Sequence, residues 1–74
     1  MFSKDRLRTL RVAKGLSQRE LADLAGLGMM TVHNAEVGRG RPNDTTQEKI
    51  AKALGVSTGS LHDGAQPLIV QISV

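Results

Sequence analysis

The sequence predicts a small all-α domain of five short helices, followed by a short C-terminal β-strand. Apolar residues recur at helical spacing between residues 4 and 64, and N-cap residue types or glycines punctuate each stretch. Residues 68–74 instead alternate between apolar and polar side chains, which is typical of a strand. A chain of 74 residues has room for one core. We therefore expect one domain over residues 1–64 and a separate tail over residues 65–74.

Helix 1 is predicted over about residues 4–14. Ser3 is a typical N-cap residue, Leu7 and Leu10 lie on one helical stripe, and Gly15 ends the pattern.

Helices 2 and 3 follow at once. Ser17 and Glu20 match a capping box, which starts helix 2 at about 18–25. Gly26 ends that helix, and helix 3 covers about 29–37 after a glycine N-cap.

Helices 4 and 5 complete the predicted domain. Asn43 or Asp44 caps helix 4, which ends before Gly55. A further cap pattern predicts helix 5 at about 58–63. The expected inner stripe of helix 4 consists of Gln47, Ile50, Ala51 and Leu54.

The tail predicts a dimer contact. A single strand cannot satisfy its own backbone, so two copies of residues 68–74 could pair antiparallel. Two alternatives stay open: the tail folds onto its own domain, or it is the cut end of a longer protein. If the strand is not the contact, a helix 4–5 surface near Val56 and Leu61 is the next candidate. The apolar face of the strand comprises Leu68, Val70, Ile72 and Val74.

Composition excludes several classes of protein. The chain has no cysteine and two histidines, so we expect no disulfide and no metal site. One aromatic residue leaves no platform for stacking unpaired bases. The longest apolar run is too short for a membrane span, and no signal peptide is visible, so we expect a cytoplasmic protein without membrane contact. No phosphate loop or nucleophile–base pair indicates an enzyme, and no cofactor is expected.

Charge is concentrated at one end of the chain. The net charge is +3, and the first twenty residues carry six basic and two acidic side chains. A localised basic segment suits a polyanion such as duplex DNA, but a solvated helix face is an equally good explanation of the charge alone.

The segment from Gln18 to Gly38 has helix-turn-helix spacing. Two predicted helices flank the three-residue turn Gly26-Leu27-Gly28. Spacing alone is equally compatible with a plain helical hairpin.

Specific residues strengthen the helix-turn-helix interpretation over roughly residues 6–64. They are Arg6-Leu7, Leu10-Arg11, Gly15-Leu16-Ser17-Gln18, Glu20-Leu21-Ala22, Ala25-Gly26, Val32, Glu36, Gly38 and Ala51-Lys52-Ala53-Leu54-Gly55-Val56. In these positions the chain resembles the Cro/CI-type (XRE) helix-turn-helix family. The resemblance implies a lambda-repressor-like domain of five helices that places its third helix in the major groove of duplex DNA.

Two charged residues lie on predicted inner stripes. Arg11 is on the inner stripe of helix 1, and Glu36 lies beside Val32 and Ala35 on that of helix 3. We predict a salt bridge between them, with separate contacts to water as the alternative. Members of the resembled family usually pair these two positions.

The outer face of helix 3 supplies the candidate base readers. Asn34 has the clearest chemistry, because an amide can pair with adenine N6 and N7. The methionines depart from the polar residues often found in phage repressors and suit thymine methyl groups or a protein surface. The histidine could reach a phosphate or a guanine, or simply be solvated. The four candidates are Met29, Met30, His33 and Asn34.

Phosphate contacts are expected at the start of helix 2, near helix 3 and in the following loop. Free backbone N–H groups at a helix N-terminus attract anions, and the resemblance implies a DNA contact by Gln18. Lys14 could add charge, whereas Gly28 lacks the hydroxyl that family members often place there. The candidates are Ser17, Gln18, Arg19, Thr31, Arg39 and Arg41.

Together these features predict a phage or bacterial transcriptional repressor that binds a palindromic operator as a homodimer, without catalysis. Two alternatives stay open: the antitoxin of a toxin–antitoxin pair, and a protein-interaction module that uses the Met29 and Met30 face.

Overall fold

The computed structural model describes residues 1–64. Four α-helices follow one another and are succeeded by one short 3-10 helix. They are α1 (Lys4–Ala13), α2 (Gln18–Ala25), α3 (Met29–Val37), α4 (Asp44–Leu54) and the 3-10 helix (Thr58–Leu61). Within this part of the chain there is no β-sheet, and the only β-type pairing is an isolated antiparallel bridge between Phe2 and His62.

The four long helices are confirmed. Ser3, Ser17 and Asn43 each cap a helix by accepting a hydrogen bond from the backbone N–H three residues later. Gly28 caps α3 with no side chain to help, as its residue type requires. Local capping chemistry therefore sets these helix starts.

The fifth helix predicted at about 58–63 is not found as an α-helix. The segment forms a 3-10 helix of four residues, and the next residue, His62, has extended backbone angles. The Ser57 side chain precedes the 3-10 helix but makes no capping hydrogen bond to the helix backbone, and its hydroxyl lies 3.3 Å from that of Ser60. His62 pairs with Phe2 in an isolated antiparallel bridge directly after the 3-10 helix.

The core lies where all five elements meet. Each element contributes buried apolar side chains, so displacing any one of them would expose part of the shared core to water. α2 packs against α3 and α4, and α1 packs against α3 and the 3-10 helix. The largest fully buried side chains are Leu7, Leu21, Val32, Ile50, Leu54 and Leu61.

Backbone hydrogen bonds join the first residues to the end of the helical region. Ser3 N donates to Leu61 O at 2.7 Å, and Asp63 N donates to Met1 O at 2.8 Å. α1 is thereby held at its N-terminus as well as along its apolar face.

The predicted strand over residues 68–74 lies outside the described residues, and with it the dimer face of Leu68, Val70, Ile72 and Val74. The helices found over residues 1–64 are all too short or too polar to cross a membrane.

The turn between α2 and α3 depends on the conformation of Gly26, which has φ +69°. Gly26→Ala should lower the free energy of unfolding by about 1 kcal/mol, because an L side chain is strained in the left-handed region even where space is open. Urea denaturation measures this change. The matched control is Gly59→Ala, where φ is not positive, which should change stability by less than about 0.5 kcal/mol. Equal effects at both sites would show that the turn geometry is not the constraint.

Candidate nucleic-acid interface

α3 is buried on one side and open on the other. Val32, Ala35 and Glu36 form its inner face, with exposed fractions between 0% and 8%. Packing against α1 and α2 covers this face, so the opposite face points away from the domain.

The four candidate base readers share the outer side of α3. Met29 and Met30 are about half exposed, and His33 and Asn34 are partly exposed. Spacings of three or four residues make His33 a neighbour of both methionines and Asn34 a neighbour of Met30 along the helix surface. The open face therefore combines apolar groups with two polar ones.

Asn34 is less available than its position predicts. Its Oδ1 atom is buried and has no hydrogen-bond partner among the described residues. The residue lines a pocket of about 280 Å³ between α3 and the loop over residues 38–43. A two-point contact with adenine needs both amide atoms, so Asn34 must turn out of this conformation to make one.

Arg11 and Glu36 form a two-point ion pair in the interior. Arg11 Nε donates to Glu36 Oε2 at 2.5 Å, and Nη2 donates to Oε1 at 3.0 Å. The Glu36 side chain is only 3% exposed and that of Arg11 13%. The hydrogen bond from Arg11 to Glu36 raises the pKa of the guanidinium above its ordinary value. Arg11 also donates from Nη1 to Leu16 O at 2.7 Å, which fixes the connection from α1 to α2.

Two further side chains extend this pair into a polar chain of four residues: Arg11, Glu36, Gln18 and His33. Gln18 Nε2 donates to Glu36 Oε1 at 3.2 Å, and Gln18 Oε1 lies 3.2 Å from His33 Nδ1. Sequence reasoning missed these two links. The available signal was the carboxylate itself, which has more acceptor positions than one guanidinium fills.

Gln18 therefore does not simply reach outward toward a phosphate. Its amide joins α2 to α3 within the polar chain, and only its second N–H hydrogen remains for another acceptor. A phosphate contact is compatible with this geometry but is not its main feature.

Ser17 and Glu20 form the predicted capping box. Ser17 N donates to Glu20 Oε1 at 2.9 Å, and Glu20 N donates to Ser17 Oγ at 3.0 Å. The pKa of Glu20 is lowered mainly by the hydrogen bond from the Ser17 backbone N–H and to a smaller extent by the Ser17 hydroxyl. This capping contribution to stability is present above the ordinary glutamate range and is lost as pH falls through the lowered pKa. The carboxylate also offsets part of the attraction that this helix end has for a phosphate.

The remaining candidate phosphate residues fall on two sides of α3. Arg39 and Arg41 are exposed, and with Thr31 they line the pocket that contains Asn34. On the other side of α3, the start of α2 makes contact through the hydrogen bond between Gln18 and His33. The next residue of α2, Arg19, is exposed. Candidate phosphate-binding residues therefore lie on both sides of the outer face of α3, which carries the candidate base readers.

This fold and face define a class of protein. Two helices joined by a glycine turn, with the second helix buried on one side and open on the other, form a helix-turn-helix unit. Comparison with known proteins agrees: a family model described as helix-turn-helix (HTH_3) matches residues 7–61. The chain belongs to this family.

A curated relative has a regulatory name. The chain is 37% identical over 60 residues to a protein of Bacillus subtilis strain 168, named as an SPbeta prophage-derived uncharacterized HTH-type transcriptional regulator, YonR. The match covers 81% of this chain and 56% of that protein. The chain therefore aligns with little more than half of its relative.

Solved structures have the same fold. The restriction-modification controller protein C.AhdI of Aeromonas hydrophila superposes with a TM-score of 0.77 at 41% identity, covering 80% of this chain and 89% of that one. A hypothetical transcription factor, NHTF, from Neisseria gives a TM-score of 0.75 at 40% identity, covering 78% of this chain and 67% of that one. The chain is thus a helix-turn-helix DNA-binding domain of the kind found in transcriptional regulators.

The Arg11–Glu36 pair should dominate the polar contribution to stability. Arg11→Ala or Glu36→Ala should each lower the free energy of unfolding by about 1–4 kcal/mol, because each leaves a buried charge without its partner. The double variant should cost less than the sum of the two, with a coupling above about 1 kcal/mol in a denaturation cycle.

The matched control is the Lys4–Asp5 pair on the surface, where the charged atoms lie 3.6 Å apart and the side chains are 51% and 88% exposed. Its coupling should stay below about 0.5 kcal/mol. Additive effects of Arg11→Ala and Glu36→Ala would contradict the structural role of the buried pair.

Proposed function

We propose that this chain is a sequence-specific repressor that binds duplex DNA as a homodimer on a palindromic operator. The observation that carries the proposal is the open face of α3, flanked on both sides by groups that suit phosphates. Repression of this kind acts by occupying a promoter and needs neither catalysis nor a cofactor. Its place of action is the cytoplasm of a bacterial or phage-infected cell, where the DNA lies.

The proposed contacts divide by chemistry. Met29 and Met30 offer methyl and thioether surface to thymine methyl groups, while His33 and Asn34 offer polar atoms to base edges. Phosphate contacts come from the start of α2 and from the loop after α3, and these fix the register of α3 in the groove. The proposed phosphate contacts are Ser17, Gln18, Arg19, Thr31, Arg39 and Arg41.

The small size of the site supports the proposed homodimer. One recognition helix covers only a few base pairs, which is too little information to choose one site in a genome. Pairing of residues 68–74 through the face of Leu68, Val70, Ile72 and Val74 is the proposed contact. The surface around Val56 and the 3-10 helix is the alternative.

A second candidate function is a protein-interaction module. Met29, Met30 and Val37 are each about half exposed, and all three lie on the outer side of α3. Exposed apolar side chains of this kind also suit a partner protein. Selection of bound duplexes from a random pool distinguishes this function from repression.

Selection of bound duplexes from a random pool tests the proposed function. We expect enrichment of a palindromic consensus, because two identical domains related by a twofold axis read two inverted half-sites. No enrichment would overturn the proposal and favour the protein-interaction module.

Variants of the intact chain should separate the two kinds of contact. Met30→Ala should change the preferred base at its position, whereas Arg39→Ala or Arg41→Ala should weaken all duplexes by similar factors and reduce the salt-dependence slope by about one. Lys52→Ala is the control, because this exposed lysine lies beside residues of α2 and not of α3. If only the arginine variants changed the selected consensus, the arginines would be the base readers and Met30 would not.

Removal of residues 68–74 tests the dimer contact. The shortened chain should keep its helices, because the core is built from residues 2–61. It should sediment as a smaller species than the intact chain at equal concentration and bind a two-half-site duplex more weakly. Identical sedimentation and binding would move the contact to the surface around Val56.

A further inference from the structure

The positions of the hydrogens on His33 follow from the groups around it. The Glu36 carboxylate is paired with Arg11 and can only accept hydrogen bonds. The Gln18 atom that lies 3.2 Å from Glu36 Oε1 must therefore belong to the NH₂ group. This fixes the orientation of the Gln18 amide and turns its carbonyl oxygen toward His33.

The Gln18 oxygen in turn fixes the histidine. His33 Nδ1 lies 3.2 Å from Gln18 Oε1, and an oxygen with only lone pairs needs a donor opposite it. Nδ1 therefore carries a hydrogen. In the neutral ring the other nitrogen, Nε2, then has none and is an acceptor.

Nε2 is the nitrogen available to a ligand. The two ring nitrogens point in widely different directions, so Nε2 faces away from Gln18, and no described residue forms a hydrogen bond with it. His33 is partly exposed on the outer side of α3, among the candidate base readers.

We propose that His33 is a specificity-determining residue whose Nε2 accepts a hydrogen bond from the exocyclic amino group of adenine or cytosine. In the major groove these two bases present amino donors, whereas N7 and O6 of guanine are acceptors. Nε2 of neutral His33 cannot form a hydrogen bond with N7 or O6 of guanine or with a phosphate oxygen, because all of these atoms are acceptors. This recognition role rests on the proposed DNA-binding function, but the state of the ring does not.

The second histidine supplies an internal reference. Gln47 Nε2 donates to Pro42 O at 2.7 Å, which turns Gln47 Oε1 toward His62 Nε2, also at 2.7 Å. By the same reasoning His62 carries its hydrogen on Nε2. The two histidines of this chain should therefore be opposite tautomers.

Long-range ¹H–¹⁵N correlation spectra of the intact protein, labelled at histidine, read this state directly. The spectrum is recorded near pH ~8, above the ordinary titration range of histidine. We expect a protonated Nδ1 with a bare Nε2 for His33 and the reverse for His62. A His33 ring with its hydrogen on Nε2 would overturn the proposal.

Two glutamine variants identify the cause of the tautomer. Gln18→Ala should release His33 toward the Nε2–H form without affecting His62, and Gln47→Ala is the matched control at the other histidine. If His33 keeps its tautomer in Gln18→Ala, the polar chain is not what sets it.

Duplex selection with His33→Ala tests the recognition role. We expect the variant to lose a preference for adenine or cytosine at one position of each half-site, by about two- to tenfold, with the rest of the consensus kept. Loss of a guanine preference, or equal weakening of all duplexes, would overturn the role. If the unaltered chain selects no duplex, the proposed function fails and the recognition role with it, while the spectra still decide the tautomer.

Discussion

The Glu36 carboxylate is the constraint on which the arrangement of the first three helices depends. An acid that is almost fully buried must be surrounded by donors, and here Arg11 comes from α1 and Gln18 from α2. Donors on two different helices therefore restrict how α3 can lie against both. Val32 and Ala35 supply apolar contact on the same face but less directional preference. The apolar core therefore provides most of the cohesion, and the polar chain selects one arrangement of it.

This constraint has consequences on the opposite side of α3. Glu36 and Gln18 fix α3 from its inner side. Of the polar groups among the candidate base readers on the outer side, only one nitrogen of His33 is used in these contacts. The same contacts that stabilise the domain thus set the chemistry of the face that it offers. Asn34 differs, because its Oδ1 is buried, and the residue lines one pocket together with the exposed Arg39 and Arg41.

Local signals predicted most of the fold. Caps and glycine stops depend on residues within four positions of each other, so the starts and ends of four helices could be read from the chain. The fifth helix was predicted two residues too long, and no local signal shows that His62, just after the 3-10 helix, pairs with Phe2 sixty residues away. The buried pair was predictable, since Arg11 and Glu36 both fall on inner stripes.

The rest of the site depends on distances between elements. No spacing within the chain shows that an amide on α2 lies between a carboxylate and an imidazole on α3, so the roles of Gln18 and His33 were visible only in three dimensions. The same holds for Asn34, which has the helical position of a base reader but a buried oxygen. Helical position indicates which way a residue faces, and only the surroundings decide which atoms are free.

A crystal structure of the intact chain on a duplex taken from the selection tests the account most directly. The account predicts α3 in the major groove, with Met30 and His33 against base edges and the loop that contains Arg39 against the backbone. The hydrogen bonds of Glu36 to Arg11 and Gln18 should be unchanged from those of the free protein. A complex in which α3 faces solvent, or in which these hydrogen bonds are broken to make the DNA contact, would contradict it.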